Sequence, residues 1–411
     1  MDRITQAIDK LAAKQDKHTP LCAYIYDLAS LRDHAKEIVS ALPKNCEFYY
    51  AAKANPEEKV LKILAPLVDG FEAASGGELN WLHKCQPQMP LIFGGPGKLI
   101  SDLSYAIDID IEAIHVESLL ELSRIASLCK QKQRRCRILL RMNIGLDGIE
   151  QTRLTMGGKP TPFGLDVDAL DSAIAIIREQ PFIELLGFHF HLMSHQLDPQ
   201  RHLALMKLYF RTFKSWCRDY ELDLSLLNVG GGIGIDYVNP QQKFDWPKFC
   251  SELASLIEQE SMTQVSIRFE CGRFVTANAG CYVMQVLDIK QSHGEWFAIG
   301  HGGTHHFRTP AAQSHDHPFF VHSRSSVKAD PAPEIESGKS EFCIPEPSIK
   351  AQHVTLVGQL CTPKDVLARQ QYIDKLNLGD YLVFTQAGAY AWNISHQNFL
   401  MHAAPEMVFL D

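Results

Sequence analysis

The chain has 411 residues, 45% hydrophobic and 21% charged, the composition of a soluble globular protein long enough for two domains. A net charge of −8 and a pI near 6.1 give no electrostatic case for nucleic acid or an anionic membrane. The opening MDRITQAIDKLAAKQDKHTP lacks an apolar signal core, no apolar run would span a bilayer, and eleven cysteines without C-x-x-C spacing suit reduced thiols, so a cytoplasmic protein without a thiolate zinc site is expected.

In chain order, the early strand LCAYIYD precedes the first strand–helix unit and is expected to join a later β-rich domain, which assigns residues 1–27 to that domain. From residue 47 to about 270 the pattern is strand then helix: EFYYAA, GFEAA, LIFGG, IEAIHV, CRILLRMNI, ELLGFHFHL, LSLLNV and VSIRFE, with helical runs between. The helix after Asn55-Pro56 carries Val60, Leu61, Leu64, Leu67 and Val68 on one face, with Asn55 as the expected cap and Pro56 in the first helical position. Two capping boxes, Ser75 with Glu78 and Ser118 with Glu121, mark further helix starts.

Eight strands alternating with helices predict a (β/α)8 barrel over 28–275, with GLDGIEQTRLTMGGKPTPFG as an extra loop; an open doubly wound sheet is the structural rival. After residue 275 the texture changes. CYVMQVLDI, EWFAIG, HVTLVG and GDYLVFTQAG read as strands with few helices, so 276–411 is expected to form a C-terminal β-rich domain, with 323–341 as a surface insertion.

Active sites of such barrels lie at the C-terminal ends of the strands. There the sequence places Lys53 after the first strand, Glu72 and Ser75 at the second, His191 at the sixth, Gly230-Gly231-Gly232 after the seventh and Glu270 at the eighth. Singly, the lysine reads as a solvated tip, the histidine as a core residue and the glycines as a tight turn; together they converge on one mouth. NVGGGIGIDY fails as a dinucleotide fingerprint because Ile235 stands where the last glycine belongs, and ESGKS fails as a phosphate loop because Pro333 takes the first glycine position. Bare glycines still leave backbone N–H groups open to an anion, with Gly272 and Arg273 on the other side. Amine, carboxylate and phosphate cradle are the parts a pyridoxal phosphate site needs.

YYAAKANP, GFEAASGGEL, GFHFHLMSHQ, NVGGGIG, ECGRFV, GQLCTPKDVLA and GDYLVFTQAGAY occur in this order, and the chain resembles the fold-type III pyridoxal-phosphate decarboxylases, the diaminopimelate and ornithine decarboxylase group, which share an alanine-racemase-like barrel. The resemblance implies that Lys53 bonds covalently to the cofactor, that Glu72 lies near it, and that His191 stacks on its ring. It further implies that Glu270 bonds the ring nitrogen and that Ser194, Gly231, Gly232, Gly272, Arg273 and Tyr390 line or hold the phosphate. Cys361 would protonate the carbanion from the neighbouring subunit, which implies a homodimer with shared sites.

The sequence departs from diaminopimelate decarboxylases after that cysteine, where Thr362-Pro363-Lys364-Asp365 replaces a Glu-Ser-Gly-Asp run whose glutamate reads a distal amine. Lys364 suits an anionic tail. Arg308, at the family's substrate-carboxylate position, with His305, His306, Asp365 and Arg153, completes the expected substrate contacts. A metal reading of these histidines lacks an H-x-x-x-H helix or acid cluster. MGGKPTPFG and AYAWNISHQNFLMHAAPE resemble the carboxylate-siderophore subgroup, similar to staphyloferrin B decarboxylase, which implies a citryl-diaminopropionate-type substrate. The alternatives are a diaminopimelate, lysine or ornithine decarboxylase, a racemase, against which Glu270 argues, and a cofactor-free regulatory homologue. Met193 in place of the usual glycine, Cys271 in place of proline and Glu72 in place of aspartate are further departures.

Overall fold

The computed structural model describes residues 2–15, 19–146, 157–324 and 346–411. The chain divides into two compact units. Ser30–Asp236 and Gln241–Thr276 form one; the segment up to Ala29, Tyr237–Pro240 and Ala277–Asp411 form the other.

Strands are numbered along the chain. β1 (Cys22–Asp27) belongs to the second unit. The first unit contains β2 (Cys46–Ala51), β3 (Gly70–Ala73), β4 (Leu91–Phe93), β5 (Ala113–Val116), β6 (Cys136–Asn143), β7 (Leu165–Asp166), β8 (Ile183–His189), β9 (Leu226–Gly230) and β10 (Ser266–Cys271). All pair in parallel. β7 is a short extra strand on β6, and the other eight close on themselves because β10 pairs back with β2, from Ile267 opposite Cys46 to Cys271 opposite Tyr50. That closing register makes the sheet a barrel and excludes the open doubly wound alternative.

Helices between the strands start where polar side chains satisfy the orphan N–H groups. Ser75 Oγ accepts from Glu78 N–H and Ser118 Oγ from Glu121 N–H, both at 3.1 Å, while each glutamate reaches back to the N–H before the serine. Asn55 acts differently from expectation. Its Oδ1 accepts from Glu57 N–H within a turn, and the helix starts only at Glu58. The longest helix, Pro199–Asp219, is capped by Asp198 and buries Leu205, Met206, Tyr209, Phe210 and Phe213 on one face. Fully burying each such side chain is worth about 1.5–3 kcal/mol.

At the N-terminal end of the barrel strands, Arg268 donates to Glu47 at 2.8 Å and to Glu112, and its guanidinium lies 4.2 Å above the Tyr49 ring. The opposite, C-terminal end of the strands is therefore the end left for chemistry.

In the second unit, β1 runs antiparallel to β11 (Gly280–Ser292) and parallel to β17 (Glu406–Leu410). β11 also pairs with β12 (Glu295–Gly300) and β16 (Tyr381–Phe384), β16 with β13 (Phe319–His322), and β12 with β14 (Ser348–Val357), which pairs with β15 (Val366–Asn377). Helix Asp2–Lys14 buries Ile4, Ala7 and Ile8 against Ala23, Ile25, Val283 and Val383. Tyr237 belongs to this unit, stacked 4.9 Å from the His315 ring, although it lies between barrel elements in the sequence. Most of the 323–341 stretch lies outside the described residues.

Candidate active site

β2 ends in a single 3-10 turn, Ala52–Ala54, which lifts Lys53 out of the buried run Phe48–Ala52. Lys53 Nζ donates to both carboxylate oxygens of Glu72, at 3.1 and 3.0 Å, because the parallel register sets Ala51 opposite Glu72 on β3. A Cβ on Gly272 would lie 2.8 Å from Ala54 Cβ, so the β10 turn packs tightly beside the lysine. Cys271 is buried at the end of β10.

Glu270 is buried on β10. Asn228 on β9 donates to its Oε1 at 2.7 Å, and the amide orientation is set by Asn228 Oδ1, which accepts from Gly230 N–H at 2.9 Å. Burial, then the neighbouring charge of Glu72, pushes the Glu270 carboxyl up to about 7, while Lys53 and the Asn228 bond pull it down.

Gly231 N–H donates to His191 Nδ1 at 3.2 Å, which places the imidazole proton on Nε2. Burial, then Arg141 and Lys53, holds His191 well below the usual histidine range, so the ring is neutral. The glycine loop admits no side chain: a Cβ on Gly231 would lie 2.1 Å from Glu270 O, and one on Gly232, at φ +84°, 2.4 Å from Met193 O. Gly232 O accepts from Gln196 N–H at 2.7 Å and Gly234 N–H returns a bond to Gln196 O, which ties the loop to the segment after β8. Met193 fits here by turning its backbone carbonyl to Gly232 and burying its side chain, leaving Ser194 half-buried next to the loop.

Charged pairs brace this end of the barrel. Arg141 donates to Glu117 at 2.8 Å, and Glu117 also accepts from Gly95 and Gly164 N–H. Lys98 Nζ donates to Glu121, His115 O and Gly95 O at 2.6, 2.7 and 2.8 Å.

In the second unit Cys361 and Lys364 are exposed on the turn between β14 and β15, and Arg308 is exposed before the short helix Thr309–Gln313. Tyr390 is half-buried at φ +48°, its carbonyl accepting from the Thr309 hydroxyl. Three residues expected as substrate contacts are buried. Asp365 is buried, accepting from Thr304 N–H at 2.6 Å and Leu360 N–H at 2.8 Å, so it organises the Cys361 loop from inside. His306 is buried between Tyr282 OH, 3.1 Å from Nδ1, and Ala403 O, 2.9 Å from Nε2. His305 is 1% exposed against the His306 ring, enclosed rather than presented. Arg153 lies outside the described residues.

Residues 28–277 match the family model described as pyridoxal-dependent decarboxylase, pyridoxal binding domain. The chain belongs to this family. A 2-[(L-alanin-3-ylcarbamoyl)methyl]-2-hydroxybutanedioate decarboxylase of Staphylococcus aureus is 42% identical over 99% of this chain and 98% of its own. A diaminopimelate decarboxylase of Bacteroides thetaiotaomicron is 28% identical over 93% of this chain and 92% of its own. The crystal structure of diaminopimelate decarboxylase from Helicobacter pylori complexed with L-lysine superposes with a TM-score of 0.80 at 23% identity, covering 98% of this chain and 94% of that one, a likeness of fold.

As a pyridoxal-dependent decarboxylase the chain is a carboxy-lyase, and the barrel end suits the cofactor. The glycine loop is a cradle that any Cβ would fill, an amine stands beside it, and among the described residues a buried carboxylate has a neutral amide donor on one oxygen within hydrogen-bond distance. Lys53 would carry the covalent link, Gly231 and Gly232 would leave room for the phosphate, and Glu270 would hold a proton at the ring nitrogen. When bound, the cofactor supplies an electron-accepting ring for the electron pair left as carbon dioxide departs. His191 presents a neutral ring fixed by the Gly231 N–H.

Asn228, His115 and His189 escaped sequence reasoning. His189 carried a signal, since the alternation in HFH puts it on the same strand face as His191. Asn228 and His115 had none, because an isolated polar residue in an apolar strand does not announce its neighbour across the barrel.

Proposed function

We propose that this chain decarboxylates an α-amino acid whose side chain ends in a polycarboxylate, of the citryl-diaminopropionate type. The relative 42% identical over nearly the whole chain carries the reading. The compound in its name is an alanine unit linked through C3 and an amide to a hydroxybutanedioate, which bears two carboxylates. The turn after Cys361 supports the same class. It exposes Lys364, while the acid of the segment, Asp365, is turned inward and bonded to backbone N–H groups, so residues 361–365 offer no carboxylate to a distal ammonium. Exposed Arg308 adds a planar donor suited to a carboxylate.

In this reading the protein works as a cytoplasmic homodimer in which Cys361 serves the barrel of the partner copy as proton donor. Among the described residues no helix is long and apolar enough to cross a membrane. The deciding experiment is carbon dioxide release from the citryl-diaminopropionate conjugate against meso-diaminopimelate, ornithine and lysine at equal concentrations. Preference for the conjugate is expected; preference for diaminopimelate overturns the proposal.

A further inference from the structure

Two buried histidines stand behind Glu270. His115 Nε2 on β5 lies 3.6 Å from Glu270 Oε1, and His189 Nε2 on β8 lies 3.5 Å from Oε2. The two rings are 4.3 Å apart and 0% and 3% exposed. Among the described residues, His115 Nδ1 and both ring nitrogens of His189 have no hydrogen-bond partner. A buried imidazole nitrogen without a partner is unfavourable, and most such groups in folded proteins are satisfied. Here they sit at one spot, around the carboxylate to which the ring-nitrogen role falls.

We propose that His115 and His189 are positioning residues that donate their Nε2–H groups to Glu270 in the cofactor-loaded enzyme, and so keep this carboxylate ionised and aimed at the cofactor's ring nitrogen. The proposal rests on the assignment of Glu270 to that nitrogen.

The separations are only slightly beyond hydrogen-bond length, and a small side-chain adjustment closes them. Asn228 Nδ2 already donates to Oε1 from β9 and also lies 3.5 Å from His115 Nε2. The proposed arrangement turns the His115 ring to its Nε2–H tautomer and aims it at Glu270, which would set donors from three strands, β5, β8 and β9, around a carboxylate on a fourth. The charged groups around the cluster fit neutral imidazoles. Lys98, Arg141, Arg268 and Lys53 act on His115, and Arg141, Lys53 and the other histidines act on His189; burial comes first for both, and all hold them well below the usual histidine range. A neutral imidazole with its proton on Nε2 is a donor to Glu270 without adding a charge that would compete with a protonated ring nitrogen.

The test uses the loaded enzyme and a pH titration of the cofactor's ring nitrogen, followed by nitrogen-15 NMR of isotope-labelled cofactor. His115→Leu and His189→Leu withdraw the donors. His115→Gln and His189→Gln keep an amide N–H close to the Nε2 position. The leucine variants are expected to lower the pH of the cofactor transition by about one unit, a tenfold change in the proton equilibrium, and to reduce kcat more than they raise KM. The glutamine variants should restore the transition, a rescue that a purely structural role would not give. If a leucine variant does not fold, as judged by melting of the cofactor-free protein, the asparagine variant at that position, which cannot reach Glu270 from its shorter stem, takes its place.

Glu270→Gln separates the two levels. If it leaves the titration unmoved, the ring-nitrogen assignment fails. If it moves the titration and no histidine variant does, the positioning role alone fails. The donor atoms of His115, His189 and Glu270 lie within 4.8 Å of one another, a spacing that could also hold a cation. Stoichiometric zinc retained by the loaded enzyme through dialysis, and lost in His115→Gln, would likewise overturn the proposal.

Discussion

Lys53 Nζ sits between the two carboxylate oxygens of Glu72, 3.0 Å from one and 3.1 Å from the other, with the lysine partly exposed and the glutamate buried. The pair holds the amine at the barrel mouth without enclosing it, which suits the proposed bond to an incoming aldehyde.

Removing that amine should separate fold from function. Lys53→Ala leaves Glu72 unpaired, at a cost of about 1–3 kcal/mol, so a folded but less stable protein is expected. Borohydride treatment of the loaded wild type, followed by peptide mapping, should fix the cofactor on the Lys53 peptide; the variant should retain none. A reduced label on another lysine would contradict the assignment.

The glycine loop can be tested by one methyl group. Gly232→Ala forces a side chain into φ +84° and 2.4 Å from Met193 O, a strain of about 1–3 kcal/mol that the loop must relieve by moving. Cofactor affinity measured by fluorescence titration is expected to fall by about tenfold or more, while far-UV circular dichroism stays unchanged. Unchanged affinity would place the phosphate elsewhere.

The buried acid predicts a pH effect on the cofactor-free protein. With the Glu270 carboxyl raised from 4.5 to about 7, the folded chain keeps a proton through this window that the unfolded chain has released. Its contribution to stability therefore falls as pH rises through the window, by about 3 kcal/mol in total. Glu270→Gln removes the fall. The gain in urea-unfolding free energy of variant over wild type should be larger at about pH 7.5 than at about pH 4.5. A pH-independent difference would show that the carboxyl is not raised.

His202 predicts the opposite slope. It is buried among Phe244 and Phe249 without a hydrogen-bond partner for either ring nitrogen among the described residues, and burial lowers it from 6.5 to about 4. Its contribution is fully present above pH 6.5 and is lost as pH falls through 4, about 3 kcal/mol over the window. His202→Leu should flatten the acid limb of the stability curve, read from melting temperatures at several pH values.

Complementation tests the proposed sharing of sites between two copies. Mixed and reassembled Lys53→Ala and Cys361→Ala chains should recover activity neither has alone, up to about a quarter of wild type, because a two-fold dimer pairs one intact lysine with one intact cysteine only in the heterodimer. No recovery, with mixed dimers verified by mass, would place the cysteine in the same chain's site or outside the chemistry.

Much of the barrel was legible because its signals are local. Strand length, helix periodicity and the serine caps at Ser75 and Ser118 depend on residues within a few positions of one another. The Asn55 cap differs for a related reason: a side chain that can cap a helix can equally close a turn, and the extended backbone of Glu57, at ψ 130°, decides for the turn. The second unit was harder. Asp365, His305 and His306 look in sequence like exposed binding residues, and only the packing of Thr304, Leu360 and Tyr282 around them turns them inward.

By itself the sequence determined the alternation of strand and helix, and the lysine, glycine and glutamate positions at strand ends, since these follow from nearest-neighbour geometry along the chain. Tertiary structure alone decided that β10 closes onto β2, that Tyr237 leaves its neighbours for the other unit, and that His115, His189 and Asn228 from three different strands surround Glu270. The physical reason is that parallel strand register is set by contacts between residues far apart in the chain, and one shift in that register would carry each of these side chains to the other face of the sheet.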